Sequence, residues 1–359
     1  MKVSIDQLQE GCILSDDVKS ISNRPIMVKG TVLNENLLNI LHIFLVESVK
    51  VDTFLVNGEL FKPTKPNEEK IEEKEGKTLT FIDHYLQVVA YYKKMFTSWQ
   101  AGSSVDIGDI RKHLLPLLER FLENPSSIFW LHQHSTKEDY LYHHGVTVSL
   151  LAGFLGKQLH YSQGDWIQIA LAGFLCDCGM AKINPKILRK QSSLTEEERL
   201  EVNKHPEYSY KMVEKIGVLK KGVKEAVLQH HIRDDGTGYP IGILKGILHP
   251  FSKIVAVADV YHAMTSEREY KAKQSPFVVM DLIIQDSFGK LDTNVVHALT
   301  KIVTNYAIGQ KVKLSNGYTG KIVFVEEKNP TRPMVNLFKT NEIIQLKDYR
   351  DVYIEEVIL

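Results

Sequence analysis

The spacing of metal-binding side-chain types along the middle of the chain constrains the fold more than any other feature. Seven such residues occur in the order His144, Cys176, Asp177, His205, His230, His231 and Asp259. The gaps between successive groups run from 25 to 32 residues. Gaps of this length suit one ligand or ligand pair per helix, with the inward faces of neighbouring helices sharing one pocket. Imidazole, carboxylate and thiolate groups hold divalent transition metals, so the spacing predicts a metal site inside a helical bundle.

The residues around these positions resemble the HD-GYP family, a branch of the HD superfamily of metal-dependent phosphohydrolases. Residues 230–240 read HHIRDDGTGYP and are similar to the family signature HH[E]xxDGxGYP. Residues 175–180 (LCDCGM) stand where the family has its name-giving His-Asp pair, LHDIG. Residues 204–207 (KHPE) and 258–266 (ADVYHAMTS) resemble two further family motifs. The resemblance covers residues 138–305 in the right order.

Composition predicts a soluble protein of the cytoplasm. The chain has 44 basic and 44 acidic residues, so its zero formal charge indicates no strong attraction to a nucleic acid polymer or a membrane surface. No uncharged apolar run approaches the ~20 residues that a membrane helix needs, and the N-terminus lacks the apolar segment of a signal peptide. Three cysteines, two of them only one residue apart, make no disulfide framework.

The chain is predicted to be multidomain, with an all-α HD-type helical bundle in the centre, a small α+β, β-rich module at the N-terminus and a short β-rich module at the C-terminus. The predicted parts are an N-terminal module at 1–61, a charged linker at 62–78, a helical connector at 79–137, the HD-GYP helical domain at 138–305 and the C-terminal module at 306–359. Asn316-Gly317 predicts a hairpin in the last of these. Thr195 and Glu198 predict a capping box at the start of the helix that carries His205.

Asp177 is the most informative carboxylate in the chain. It ends an apolar helix, and a buried carboxylate without a partner is energetically expensive, which favours a ligand role. The resemblance implies that all seven residues are metal ligands and that Asp177 bridges two divalent ions. It also implies that these ions are iron or manganese, with zinc compatible.

Several positions depart from the family pattern. Cys176 replaces a histidine ligand; it either binds metal as a thiolate or packs as a small apolar side chain. Met180 replaces a lysine, and Lys182 is the nearest cation that could stabilise phosphate charge in the reaction. Tyr140 stands at a position that is acidic in members with a third metal, which favours a two-metal site. His262 replaces an aspartate, with no role assigned.

Two further sets of residues are matched by resemblance. Arg268 and Lys271 correspond to basic positions that contact substrate phosphate, which suits the fork of an arginine and the point charge of a lysine; a solvated helix end is the alternative. The GYP loop is predicted to form an exposed corner that contacts substrate or a partner protein. Its residues are Asp235, Gly236, Gly238, Tyr239 and Pro240.

The resemblance implies a metal-dependent phosphodiesterase that opens cyclic di-GMP to a linear dinucleotide, GMP or both, through a hydroxide bridging the metals, with Asp177 and Lys182 as catalytic residues. Two alternatives stay open. A degenerate domain could bind cyclic di-GMP without cutting it, or the GYP loop could dock onto a signalling protein, such as one of the GGDEF type. A homodimer is left open as well.

Overall fold

The computed structural model covers a chain of 359 residues and is described except at 20–24, 35–36, 39–40, 42–45, 47, 62–78, 130, 191, 241–247, 268–272, 287–288 and 359. The predicted linker at 62–78 therefore lies outside the described residues. The chain divides into two compact units, Met1–Leu86 and Gln87–Leu359. The five-part division predicted from the sequence stays a prediction at its finer boundaries.

The first unit contains two antiparallel strand pairs around a small apolar core. Strand β1 (Lys2–Ser4) pairs with β4 (Ser48–Lys50), and β2 (Val18–Lys19) pairs with β3 (Pro25–Met27). The buried core side chains include those of Leu14, Leu33, Leu41, Val51 and Phe61. The α+β content predicted for this module stays a prediction.

The middle of the chain is helical, as predicted. In chain order the helices are α1 (Phe81–Gln100), α2 (Ile107–Glu123), α3 (Tyr140–Gln158), α4 (Gln163–Leu175), α5 (Pro185–Leu188), α6 (Glu196–Val202), α7 (His205–Val213), α8 (Lys221–Gln229), α9 (Pro250–Thr265), α10 (Pro276–Asp286) and α11 (Thr293–Ala307). A short 3-10 helix, Cys178–Lys182, follows α4. No helix in the described part of the chain is long and apolar enough to cross a membrane.

Helices α3, α4 and α9 form the interior of the bundle and contact one another, while α8 packs against α4, α7 and α9. Residues 143–156 of α3 are buried, and from Gly145 onward they are small or apolar all round, as expected for a helix enclosed on every side. Gly173 of α4 lets the two backbones approach closely, since a Cβ there would lie 2.8 Å from the carbonyl oxygen of Val148. This close packing holds α3 against α4, and His144, in the second turn of α3, is buried.

The C-terminal module is a five-stranded antiparallel sheet in the order β8-β7-β6-β5-β9. Its strands are β5 (Lys311–Leu314), β6 (Thr319–Glu326), β7 (Asn329–Leu337), β8 (Ile343–Gln345) and β9 (Ile354–Ile358). The predicted hairpin at Asn316-Gly317 is confirmed: β5 pairs with β6, and Gly317 has a φ of 85°. The sheet joins the helices directly, since the Gln133 side chain donates to the carbonyl oxygen of Val357 at 2.9 Å.

Candidate metal centre

The carboxylate of Asp177 lies at the centre of a buried group of histidines. Its Oδ1 is 3.1 Å from Nε2 of His205 and 3.4 Å from Nε2 of His230. Its Oδ2 is 3.5 Å from Nε2 of His144. Asp177 is only 8% exposed. The two oxygens of one carboxylate therefore face imidazoles on opposite sides, which is the arrangement that a bridging ligand requires.

One side of this group forms a set of potential ligands compact enough for a single ion. Ligand atoms of Asp177, His205, His230 and His231 all lie within 4.8 Å of one another. Three imidazoles and a carboxylate suit zinc, iron or manganese. The donor types, the burial and the spacing together fit a divalent metal.

Asp259 closes the other side of the pocket. Its Oδ1 lies 2.9 Å from Nε2 of His144, and its Oδ2 lies 3.6 Å from Nδ1 of His231. Asp259 is buried in the middle of α9. Six of the seven residues predicted as ligands thus surround one pocket, and their role as ligands is taken up as a proposal below.

Most of these residues lie at helix ends, whereas the spacing argument placed them on the inward faces of helices. Asp177 follows the end of α4, His230 and His231 follow the end of α8, and His205 is the first residue of α7. Consecutive residues inside a helix point about 100° apart. Two neighbours reach the same pocket more easily where the helix ends.

The capping box is confirmed, but it begins a different helix from the one expected. Thr195 and Glu198 cap α6, which ends at Val202. His205 starts the separate helix α7 after Asn203 and Lys204. Pro206 explains the break, because proline lacks the N–H that a continuing helix needs and is favoured in a first helical turn.

Backbone carbonyl groups orient two of the histidines. Nδ1 of His205 lies 2.8 Å from the carbonyl oxygen of Val202, and Nδ1 of His230 lies 2.9 Å from that of Val227. A carbonyl oxygen only accepts, so each Nδ1 carries the proton and donates it. Each Nε2 is left with a lone pair directed at the Asp177 side of the pocket, as ligation requires.

Charges inside the pocket favour a cation. Burial opposes ionisation of Asp177, but His205 and His230 outweigh it and hold the pKa of this carboxyl well below its usual range. Burial likewise opposes ionisation of Asp259, and its neighbours, His231 first, lower the pKa of that carboxyl. Burial alone would lower the pKa of the His205 imidazole, but the negative charge of Asp177 outweighs burial, so the pKa is raised. The attraction that favours a proton on His205 favours a metal ion equally.

Cys176 and Lys182 bond to backbone carbonyl groups, and neither belongs to the four-residue group. The Cys176 thiol is fully buried, lies 3.2 Å from the carbonyl oxygen of Gly173, and has a pKa raised well above its ordinary value by burial. The Lys182 ammonium donates to the carbonyl oxygen of Trp99 at 2.5 Å. The ligand role of Cys176 and the catalytic role of Lys182 stay predictions.

The GYP loop lies against the pocket. The ring of Tyr239 is 4.6 Å from that of His231, measured between centroids. Gly238 has a φ of 97°, and a Cβ there would lie 2.0 Å from the carbonyl oxygen of His231. Only glycine fits such a turn, which explains this part of the signature. Arg268 and Lys271, predicted to contact substrate, lie outside the described residues.

Two residues that had no assigned place as ligands lie directly behind His144. Tyr140 brings its hydroxyl to 3.0 Å from Nδ1 of His144, and His262 brings its own Nδ1 to 2.9 Å from the same atom. A helical spacing of four residues relates Tyr140 to His144 and could have indicated their contact. No local pattern relates His144 to His262, which is 118 residues away.

Comparison with known proteins finds a family that matches the part of the chain containing this pocket. The family described as HD domain matches residues 125–295. A cyclic di-GMP phosphodiesterase of Pseudomonas aeruginosa is 29% identical over 244 residues, 68% of this chain and 59% of that protein. The cyclic di-GMP phosphodiesterase PdeB of Borreliella burgdorferi is 27% identical over 210 residues, 58% of this chain and 55% of that protein. The chain therefore spans little more than half the length of these curated relatives.

A further relative and a solved structure have related names. A 3'3'-cGAMP-specific phosphodiesterase of Vibrio cholerae is 30% identical over 174 residues, 47% of this chain and 39% of that protein. The structure of an HDG"Y"P protein from Bdellovibrio bacteriovorus matches with a TM-score of 0.53 and 16% identity, covering 84% of this chain and 98% of that one. At this identity the structural match shows a shared fold.

Proposed function

We propose that this protein belongs with the HD-GYP proteins and is a metal-dependent phosphodiesterase that hydrolyses cyclic di-GMP, since residues 125–295 match the HD domain family and similar proteins carry that activity in their names. The products proposed are a linear dinucleotide, GMP or both. The names of the relatives in Pseudomonas and Borreliella support this substrate. The name of the Vibrio relative makes 3'3'-cGAMP the substrate to compare with it.

The placement of Asp177 is the observation that carries this proposal. Its carboxylate faces His205 and His230 with one oxygen and His144 with the other. A bound divalent ion at such a site lowers the pKa of water toward neutrality and offsets negative charge on phosphate oxygens. His144, Asp177, His205, His230, His231 and Asp259 are proposed to hold two such ions.

The chain's own residues position the reaction. In the neutral rings, the carbonyl groups of Val202 and Val227 hold the protons of His205 and His230 on Nδ1, which leaves the lone pair of each Nε2 for a metal ion. Tyr239 covers His231 on the side of the GYP loop and is proposed to shield the pocket from bulk water. Arg268 and Lys271 are proposed to hold a phosphate of the substrate by charge.

The direct test is turnover of cyclic di-GMP and of 3'3'-cGAMP by protein prepared without oxygen and loaded with ferrous iron or manganese. Chromatography resolves the linear dinucleotides and mononucleotides. The proposal expects hydrolysis that stops when a chelator removes the metal. Metal-loaded protein that cuts neither substrate would refute it.

A receptor that binds cyclic di-GMP without cutting it is the second candidate. The hydrogen bonds of the Cys176 thiol and the Lys182 ammonium favour this candidate, because both groups donate to backbone carbonyl oxygens. Such a site would lack one ligand and one cation for the developing charge. Calorimetry with cyclic di-GMP decides between the two, because a receptor binds it and leaves it intact for hours. Docking of another protein through the GYP loop predicts instead that Tyr239→Ala abolishes partner binding while metal content is unchanged.

A further inference from the structure

A hydrogen-bonded chain of side chains runs behind His144, on the side away from the metal pocket. Nδ1 of His144 lies 2.9 Å from Nδ1 of His262, and Nε2 of His262 lies 3.1 Å from Oγ of Ser266. At the other end, Nε2 of His144 lies 2.9 Å from Oδ1 of Asp259. His144, His262 and Ser266 are 2%, 1% and 0% exposed. The chain is therefore closed to solvent along its length.

We propose that His262 is a positioning residue that sets which nitrogen of His144 carries the proton. We further propose that the chain from Ser266 through His262 to His144 reverses its direction when a metal binds. The inference rests on the proposed function only in taking His144 as a metal ligand.

Without metal, the Asp259 carboxylate accepts a hydrogen bond from His144, so a neutral His144 carries its proton on Nε2. Its Nδ1 then has a lone pair and accepts from Nδ1–H of His262. Nε2 of His262 accepts in turn from the Ser266 hydroxyl, which can both donate and accept. With the protons placed in this way, both nitrogens of His144 and of His262 have hydrogen-bond partners.

A metal ion needs the lone pair on Nε2 of His144, so the proton must then sit on Nδ1. His262 can accept that proton's hydrogen bond at its own Nδ1 if its proton has moved to Nε2, where it donates to the oxygen of Ser266. Each ring holds one proton in both states, and the Ser266 hydroxyl rotates. The number of protons is the same before and after: Nδ1 of His262 passes its proton to Nδ1 of His144, the proton displaced from Nε2 of His144 goes to solvent, and one proton is taken up from solvent at Nε2 of His262 when the site opens.

The residue at 262 must donate to Nδ1 of His144 in one state and accept from it in the other, and not every polar side chain can do both. An ionised carboxylate accepts only, so His262→Asp should place a proton on Nδ1 of His144 even without metal. An amide can present either its oxygen or its NH2 group, so His262→Asn should preserve reversal. His262→Leu removes the partner and leaves the Tyr140 hydroxyl, 3.0 Å from the same nitrogen.

The experiment is ¹⁵N NMR of the imidazole nitrogens in the full chain, without metal and with Zn²⁺, alongside Zn²⁺ affinity from chelator competition. In the unsubstituted protein His144 should change from the Nε2–H to the Nδ1–H form on adding Zn²⁺. In His262→Asp, Nδ1 of His144 should carry a proton both without and with Zn²⁺. His262→Asn should follow the unsubstituted protein, and His262→Leu should bind Zn²⁺ about 10- to 100-fold more weakly.

Tyr261→Phe is the matched control on the same helix. The Tyr261 hydroxyl is buried and has no hydrogen-bond partner among the described residues, so its removal should change neither the tautomer nor the affinity. Tyr140→Phe tests the competing partner and should leave the reversal in place.

An unchanged His144 tautomer in metal-free His262→Asp would overturn the inference, as would loss of the reversal in Tyr140→Phe. If His262→Leu fails to fold, the comparison of the Asp and Asn variants still decides. The tautomer is measured without turnover. A responsive His144 in a protein that cuts no cyclic dinucleotide would therefore refute the proposed function and leave this inference standing.

Discussion

Gly179 joins the Asp177 segment to the start of α7, and enlarging it should disturb both stability and metal binding. Its N–H donates to the Ser209 hydroxyl at 2.7 Å, and that hydroxyl donates to the carbonyl oxygen of Cys176 at 2.7 Å. A Cβ on Gly179 would lie 2.3 Å from the carbonyl oxygen of His205 and 2.3 Å from the amide nitrogen of Ser209. The obstructing atoms are backbone atoms, so no side-chain rotation relieves the contact.

The size of the effect follows from these distances. A Cβ atom in a protein essentially never lies closer than 3.0 Å to such a neighbour, so the two segments must separate by at least 3.0 − 2.3 = 0.7 Å. Overpacking of this kind costs about 1–3 kcal/mol, and losing or stretching the two hydrogen bonds at Ser209 adds roughly 0.5–1.5 kcal/mol for each. Gly179→Ala should therefore lower the free energy of unfolding by about 2–6 kcal/mol. It should also weaken metal binding, because His205 moves away from Asp177.

Urea denaturation of the metal-free protein measures the first effect, and chelator competition with Zn²⁺ measures the second. Gly164→Ala is the control, because Gly164 lies in the first turn of α4 and a Cβ there meets nothing within 4 Å. That change should be neutral or stabilise the protein by up to ~1 kcal/mol. If Gly179→Ala were as stable as Gly164→Ala and bound Zn²⁺ equally well, the close approach of these segments would be wrong.

Three further predictions concern the pocket and its surroundings. Asp177→Ala should abolish both metal binding and turnover; metal retained at full stoichiometry would contradict the bridging role. Cys176→His should raise turnover if the missing imidazole limits the reaction, and no gain in a folded, metal-loaded variant would show that position 176 is not limiting. Burial lowers the pKa of His132 to about 3 from about 6.5 in the unfolded chain, so the unfolded state binds the extra proton first. The free energy of unfolding should therefore fall as pH drops below about 6.5, by up to ~1.4 kcal/mol per pH unit, until the pH reaches the folded pKa of His132. Urea denaturation at pH 7 and pH 5 measures this loss of stability, which should be smaller in His132→Leu than in the unsubstituted protein.

Local chemistry explains what could be read from the sequence. Asn316-Gly317 forms its hairpin because the turn depends on the residues within it. The capping box at Thr195 and Glu198 involves neighbours only three residues apart. The helical centre is also confirmed. It could be predicted because long apolar segments are typical of enclosed helices.

The extent of one helix could not be read in the same way. The pattern that begins at Thr195 predicted a single helix reaching His205, and the structure has two. Pro206 has no N–H to donate to the carbonyl oxygen of Val202. The His205 side chain donates to that oxygen instead.

The sequence by itself determined which side chains could meet around a metal, because residue type and order identify the HD-GYP pattern without coordinates. Only the tertiary structure decided what each one faces. Lys182 reaches Trp99 across 83 residues of chain, and His262 meets His144 across 118. Hydrogen bonds between distant segments depend on how whole helices pack, and helix packing is set by the combined shape of many side chains rather than by any local motif.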